Sequence, residues 1–447
     1  MLDKTRTLLL LGAWLFLPLA SWSLPSPPIK GLTFPVTQYT LRNGLEVIIA
    51  EDESLPLVSV VIAYRAGALQ ERPGQMGLAY LVENLMFQGS ENISPMQHIN
   101  YINRIGGELN AITAFDRTIF YQTVPSNQLA LALWLESDRM KSLSLTSASV
   151  ERVKESLVSE LRQRRTSDPY MESLFLFEQL LFPDFAYGHP LIGTEEDIKK
   201  ISEEDVKSFY ATYYVPNNAI LCLAGRVDVD KARDLVSRYF ETIPRGNDIP
   251  AAGQQPKLPP RGGVTEALTD SLAPAPAFHL GYRFSPLQTG DYYGLKILDY
   301  LLLRGKSCRL YKRLVKKERI AIYLSGGLDE RKDRMALKIF AVNNNEMMAE
   351  RCQKAVLSEI TKLKTAYVPE EELSRAKNMF KADYLHRVST CLEKALFLCD
   401  ASISGIGPAG LSAEFDKYMK VTPASLIGVI NRHFTPERTV ILNVQKK

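Results

Sequence analysis

Residues 77–90 read Gly77-Leu78-Ala79-Tyr80-Leu81-Val82-Glu83-Asn84-Leu85-Met86-Phe87-Gln88-Gly89-Ser90. Gly77-Leu78 opens a helix that ends near Gly89. Side chains four apart on a helix share a face, so Tyr80 and Asn84 point the same way, with Glu83 beside them. This is the frame H-x-x-E-H with both histidines replaced. Zinc at a catalytic site takes three protein ligands and a water, and it makes that water acidic enough to supply hydroxide near neutral pH. In this frame the two histidines would be ligands and the glutamate the general base. Glu83 is kept and the metal grip is not.

Working outward, 447 residues exceed what one core usually serves, so two or more domains are expected. The composition, 46% hydrophobic and 23% charged, is that of a globular protein. A net charge of +4 and the lack of a long basic run give no reason to expect nucleic acid. Residues 1–23 read as a signal peptide: Lys4 and Arg6, the apolar stretch Leu8–Ala20, then Ser21 and Ser23 in a small-x-small pattern. The apolar stretch is short for a membrane span, and no later run is long enough. Export is therefore expected, to the periplasm or beyond the cell. The five cysteines form no C-x-x-C pair, and their odd number leaves a thiol unpaired. Cys391 and Cys399 are about 12 Å apart along one helix, beyond disulfide reach. Most of the cysteines read as small buried apolar residues. No two histidines have ligand spacing, and none is assigned to metal.

Residues 244–263 are rich in proline and glycine and read as a linker. It separates an N-terminal domain, 24–243, from a C-terminal domain, 264–447. The halves echo one another. Gly77-Leu78 and Gly294-Leu295 stand 217 residues apart, and Tyr214-Val215-Pro216 and Phe434-Thr435-Pro436 stand 220 apart, which argues for duplication. In the first half, Gln38–Glu51 carries an Asn43-Gly44 hairpin signal, Ser149–Arg164 is helical, and Ser202 caps a helix with an acidic first turn. In the second, strands are expected at Phe278–Phe284, Ala321–Gly327 and Met335–Val342, and long helices at Met347–Lys364 and Glu370–Ala401. The pattern predicts an α+β fold: two homologous domains, each a mainly antiparallel sheet covered by helices.

Further blocks extend the reading of the Tyr80 helix: residues 106–118 beginning Gly106-Gly107-Glu108-Leu109-Asn110, then Val158-Ser159-Glu160-Leu161-Arg162, Tyr187-Gly188-His189-Pro190-Leu191-Ile192-Gly193-Thr194, Tyr214-Val215-Pro216-Asn217-Asn218-Ala219, and Ser307-Cys308-Arg309-Leu310-Tyr311. With them the chain resembles the pitrilysin/insulinase (M16) zinc metallopeptidases, in their two-domain bacterial and mitochondrial-processing-peptidase-like branch, over most of residues 35–447. The resemblance implies a half-clamshell. It places Tyr80 and Asn84 at the two histidine positions, Glu83 at the general base, and Glu160, 76 residues after Asn84, at the third ligand. A phenol and an amide beside one carboxylate are poor partners for zinc, so no cofactor is expected. The family's second-domain arginine and tyrosine fall on Val315 and Ile322 in an ungapped match. A one-residue shift gives Lys316 and Tyr323 instead, with lysine lacking arginine's planar fork. Family peptide substrates add to a sheet as an extra strand, which makes Asn110, Ala111 and Thr113 candidate peptide contacts. Asp116 is a further candidate, and Asn110, Thr113 and Asp116 read equally as turn and strand hydrogen-bonding residues.

What the resemblance implies is a non-catalytic homologue partnering a zinc-bearing subunit, or paired with itself, around a peptide or unfolded polypeptide. Two alternatives stay open: a binding or scaffold protein with no peptidase partner, and an active endopeptidase with an atypical site.

Overall fold

The structure, a computed structural model, describes residues 35–250, 262–284 and 289–447. The expected signal peptide and the middle of the expected linker lie outside the described residues. The first sheet is built from β1 (Thr37–Thr40), β2 (Glu46–Glu51), β3 (Leu57–Tyr64), β4 (Glu108–Thr113), β5 (Thr118–Pro125) and β6 (Ala219–Gly225). The second is built from β7 (Val264–Asp270), β8 (Ala277–Phe284), β9 (Tyr323–Glu330), β10 (Met335–Val342) and β11 (Thr439–Lys446).

Helices of the first half are α1 (Leu78–Leu85), α2 (Gln97–Arg104), α3 (Leu129–Lys141), α4 (Ser147–Ser167), α5 (Met171–Leu181), α6 (Glu195–Lys200), α7 (Glu203–Tyr213) and α8 (Val229–Phe240). Those of the second are α9 (Thr289–Leu302), α10 (Glu346–Thr365), α11 (Glu370–His386), α12 (Cys391–Ile403), α13 (Gly407–Met419) and α14 (Pro423–His433). No single described helix is long and apolar enough to cross a membrane.

The sheets repeat one topology. Their orders are β1-β2-β6-β3-β5-β4 and β7-β11-β8-β10-β9, so β2, β6, β3, β5 and β4 answer to β7, β11, β8, β10 and β9. Each sheet has one parallel pair, β2 with β6 and β7 with β11, and its other pairs are antiparallel. The spacing is as regular as the topology. Ala219 and Thr439, which begin β6 and β11, are 220 residues apart, as are Met171 and Cys391, which begin α5 and α12. The hairpin at Asn43-Gly44 forms, with Gly44 in the left-handed region at φ 91°.

The central strands are buried along their whole length. Every residue of β6 and of β8 is buried, which requires cover on both faces. Helices of the same half supply one cover and a helix of the other half supplies the second. The helix α12 lies on β3 and β6 of the first sheet, and its counterpart α5 lies on β8 and β11 of the second. This exchange explains one departure from the sequence expectation. The helix expected over Glu370–Ala401 is two helices, broken at Arg387–Thr390. Thr390 caps the second, its Oγ1 accepting from Glu393 N at 3.1 Å. The break lets α12 leave its own half and reach the first sheet.

Side chains lock the exchange. Arg331, in the β9–β10 turn, lies 3.9 Å from the Phe182 ring centroid and 4.1 Å from that of Phe115. It donates to Tyr187 O at 2.7 Å and pairs with Glu178 and Asp329. In the equivalent turn of the first sheet, Arg117 pairs with Asp400 of α12 at 3.3 Å. All five cysteines are buried and free.

Candidate functional site

The helix α1 is fixed at its start. Gly77 takes φ 90°, and a Cβ there would fall 2.5 Å from Ile192 O; one on Gly193 would fall 2.2 Å from Met76 O. Only glycines let these two backbones touch. Beside them the carboxylate of Glu71, wholly buried, accepts from Gly77 N at 2.9 Å and Ala79 N at 2.8 Å. These are two of the donors that a helix N-terminus leaves open. His189 completes the seat: its Nε2 is 2.9 Å from Glu71 Oε2 and its Nδ1 is 2.6 Å from Phe185 O. A carbonyl only accepts, so Nδ1 carries a proton. A second proton then lies between Nε2 and Glu71. Burial raises the Glu71 pKa, and His189 draws it back.

From this seat α1 buries Leu78, Ala79, Leu81, Val82, Glu83 and Leu85 and leaves Tyr80 and Asn84 half-buried. Asn84 Nδ2 donates to the Tyr80 carbonyl at 2.8 Å, within its own helix. Glu160 reaches the same place from α4, which packs on α1. Its carboxylate is held by Arg164 one turn further on, Nη2 to Oε1 at 2.5 Å. The Tyr80 phenol feels the whole cluster. Burial raises its pKa most, then the charges of Glu160 and Glu83, while Arg164 and Asn84 lower it.

Glu83 is the anomaly. Burial raises its pKa, and Glu160 adds to the rise. Thr113 faces it from β4 and draws the value back, yet neither Glu83 Oε2 nor Thr113 Oγ1 completes a hydrogen bond of normal geometry. The donor set does not fit zinc. The Glu160 carboxylate is paired with arginine, Asn84 offers only a neutral amide oxygen in place of an imidazole, and the phenol stays protonated at neutral pH. Among the described residues, no group of three or more His, Cys, Asp or Glu side chains could hold a metal ion.

The structure thus brings Tyr80, Glu83, Asn84, Glu160 and Thr113 together, and adds Arg164, which the sequence reading missed. Its signal was available, since Arg164 stands four residues after Glu160 on a helix. Nothing in the sequence marked Glu71. The other candidates sit on sheet edges. Asn110, Ala111 and Thr113 lie on β4, the outermost strand of the first sheet. There the Asn110 side chain accepts from Ala111 N at 2.8 Å. Asp116 pairs with its neighbour Arg117 in the β4–β5 turn. Tyr323 opens β9, the outermost strand of the second sheet, and is 55% exposed, with Ile322 beside it at 57%. Lys316 is exposed on a π-helix, Tyr311–Lys317, just before that strand, and Val315 is half-buried there.

Comparison with known proteins agrees with this architecture. Residues 46–191 match the insulinase family (peptidase family M16), and residues 200–380 match the peptidase M16 inactive domain. The chain is 26% identical over 411 residues to the zinc protease PqqE of Helicobacter pylori, covering 90% of this chain and 91% of that one. A crystal structure of a protease from Helicobacter pylori superposes with a TM-score of 0.86 at 26% identity, over 92% of this chain and 99% of that one. The periplasmic protease PqqL of Escherichia coli shares the fold at 16% identity and a TM-score of 0.77, over 93% of this chain and 48% of that one. The first match lies within the first half and the second runs from the end of α6 into α11, through both halves, and the chain belongs to the insulinase family, peptidase family M16.

Proposed function

We propose that this chain is a non-catalytic M16 homologue that works as a partner subunit, shaping the peptide chamber of an active, zinc-bearing family member. The observation that carries the reading is the state of the α1 cluster: Glu160 is paired with Arg164, and the two histidine positions hold a protonated phenol and a neutral amide whose N–H is bonded to its own helix. The fold around the cluster is complete, and β4 and β9 are edge strands, each paired with a neighbour strand on one side only. An uncovered strand edge is what an extended peptide adds to. The reading includes the absence of a catalytic zinc in this chain and an exported, periplasmic location. The latter is supported by the N-terminal sequence and by the periplasmic relative.

The test is affinity isolation of the tagged chain from its native extract. A stoichiometric homologue with an intact H-x-x-E-H helix is expected, and peptide cleavage should need both chains. Isolation of this chain alone or only with itself, or cleavage by the partner undiminished without it, would sink the subunit reading.

A further inference from the structure

The stretch from Arg304 to Arg319 holds eight lysines and arginines against one glutamate, a net of +7, more than the +4 of the whole chain. The charges are dispersed in sequence, and the fold gathers them. Residues 311–317 form a π-helix, with Glu318 N bonded to Arg313 O five residues back at 2.8 Å. That wider turn brings residues four and five apart onto one face, so Lys312, Lys316 and Lys317 project together. Arg319 then takes a left-handed conformation, φ 52°, rare for a residue with a side chain. Strained backbone of this kind concentrates at functional sites. Ile320 N and Ala321 N both fold back to Leu314 O, and the chain enters β9 with Ile322 N on Val342 O at 2.8 Å. The cationic face therefore adjoins the open end of an edge strand whose first residues, Ile322 and Tyr323, are apolar and exposed.

A charged helix face is usually just solvated, and the rest of the molecule shows what that looks like here. Several surface lysines elsewhere stand three or four residues from a carboxylate and pair with it: Lys199 with Glu195, Lys200 with Glu196, Lys207 with Glu203, Lys231 with Asp228. Lys306, Lys312, Lys316, Lys317 and Arg319 are all exposed and have no such partner among the described residues. Lys312 and Lys317 line a recess of about 460 Å³. The carboxylates in that recess are already engaged, Glu372 by Arg309 and Glu359 and Glu318 by Arg313.

We infer that this cationic face and the adjoining end of β9 bind an acidic stretch of extended polypeptide, its backbone along β9 and its carboxylates on Lys312, Lys316 and Lys317. The inference rests on the peptide-holding subunit reading and names its substrate class. Charges gathered within a Debye length act as one patch and weaken together in salt.

The test is fluorescence anisotropy of the full mature chain with a labelled peptide alternating Asp and Glu with apolar residues, against its Asn/Gln analogue. The acidic peptide should bind about tenfold or more tighter at low salt and lose that advantage toward ~0.5 M salt. K312E/K316E/K317E should abolish the preference, and K141E/K199E/K231E, a matched reversal on the first domain, should keep it. Equal binding of the two peptides, or a preference that survives the K312E/K316E/K317E change, overturns the inference. So does a patch that sediments with phosphatidylglycerol vesicles but takes no acidic peptide. If the chain meanwhile still co-isolates with its H-x-x-E-H homologue, only the substrate class falls and the subunit reading stands.

Discussion

Position 83 keeps a buried carboxyl whose charged form Thr113 favours only in part. A buried polar atom without a partner costs on the order of 1–3 kcal/mol, and Glu83 Oε2 is such an atom. Its pKa stands above the ordinary 4.5, chiefly through burial. The folded protein therefore keeps this proton to higher pH than the unfolded chain does. The favourable contribution of the protonated group is complete below pH 4.5 and fades as pH rises through the folded value. Glu83→Gln keeps the shape without the ionisation. In urea titrations the stability of the variant relative to the native chain should rise from pH 4.5 to pH 8; a relative stability that stays constant or falls would show that charged Glu83 is held by a partner at neutral pH. Of this site, the sequence made the ligand positions legible because they sit at fixed spacing on helices. It did not show that Glu160 pairs with Arg164, since that needs the i, i+4 partner to be weighed against a distant one. The block from Tyr187 to Thr194 was legible only as a resemblance. The structure gives it a physical purpose, with His189 and Gly193 seating the start of α1.

Among the elements, those with local signals were readable: the Asn43-Gly44 hairpin, α4, the Ser202-capped α7, and β10 at its predicted bounds. The merged helix over 370–401 was misread because both pieces are periodic and the break is short. A start signal was present, Thr390 with Glu393 three residues on. No local pattern could say that α12 covers the other half's sheet, because that contact joins residues separated by most of the chain. The Arg331 clasp belongs to this scale. Arg331 is 6% exposed, between two aromatic rings and two carboxylates. Removing one member of a buried ion-pair network costs about 3–5 kcal/mol, so Arg331→Ala should lower the unfolding free energy by that amount, read as a lower urea midpoint with little change in slope. A loss below about 1 kcal/mol would place the clasp with surface pairs.

The whole molecule is two copies of one sheet-and-helix unit bound by exchanged helices, so neither copy completes its core alone. That frame needs α1 as a core helix whether or not the helix binds a metal. Leu78, Leu81, Val82 and Leu85 are buried against the first sheet's core. The central claim is that the α1 cluster has given up zinc. The most direct measurement is the zinc content of the purified chain after equilibration with equimolar zinc, beside the double variant Y80H/N84H. The native chain should retain less than about 0.1 zinc per molecule, and the variant should retain more because imidazole competes for the metal where phenol and amide do not. About one zinc per native chain, with cleavage of an unstructured peptide that stops on chelation and in Glu83→Gln, would contradict the account.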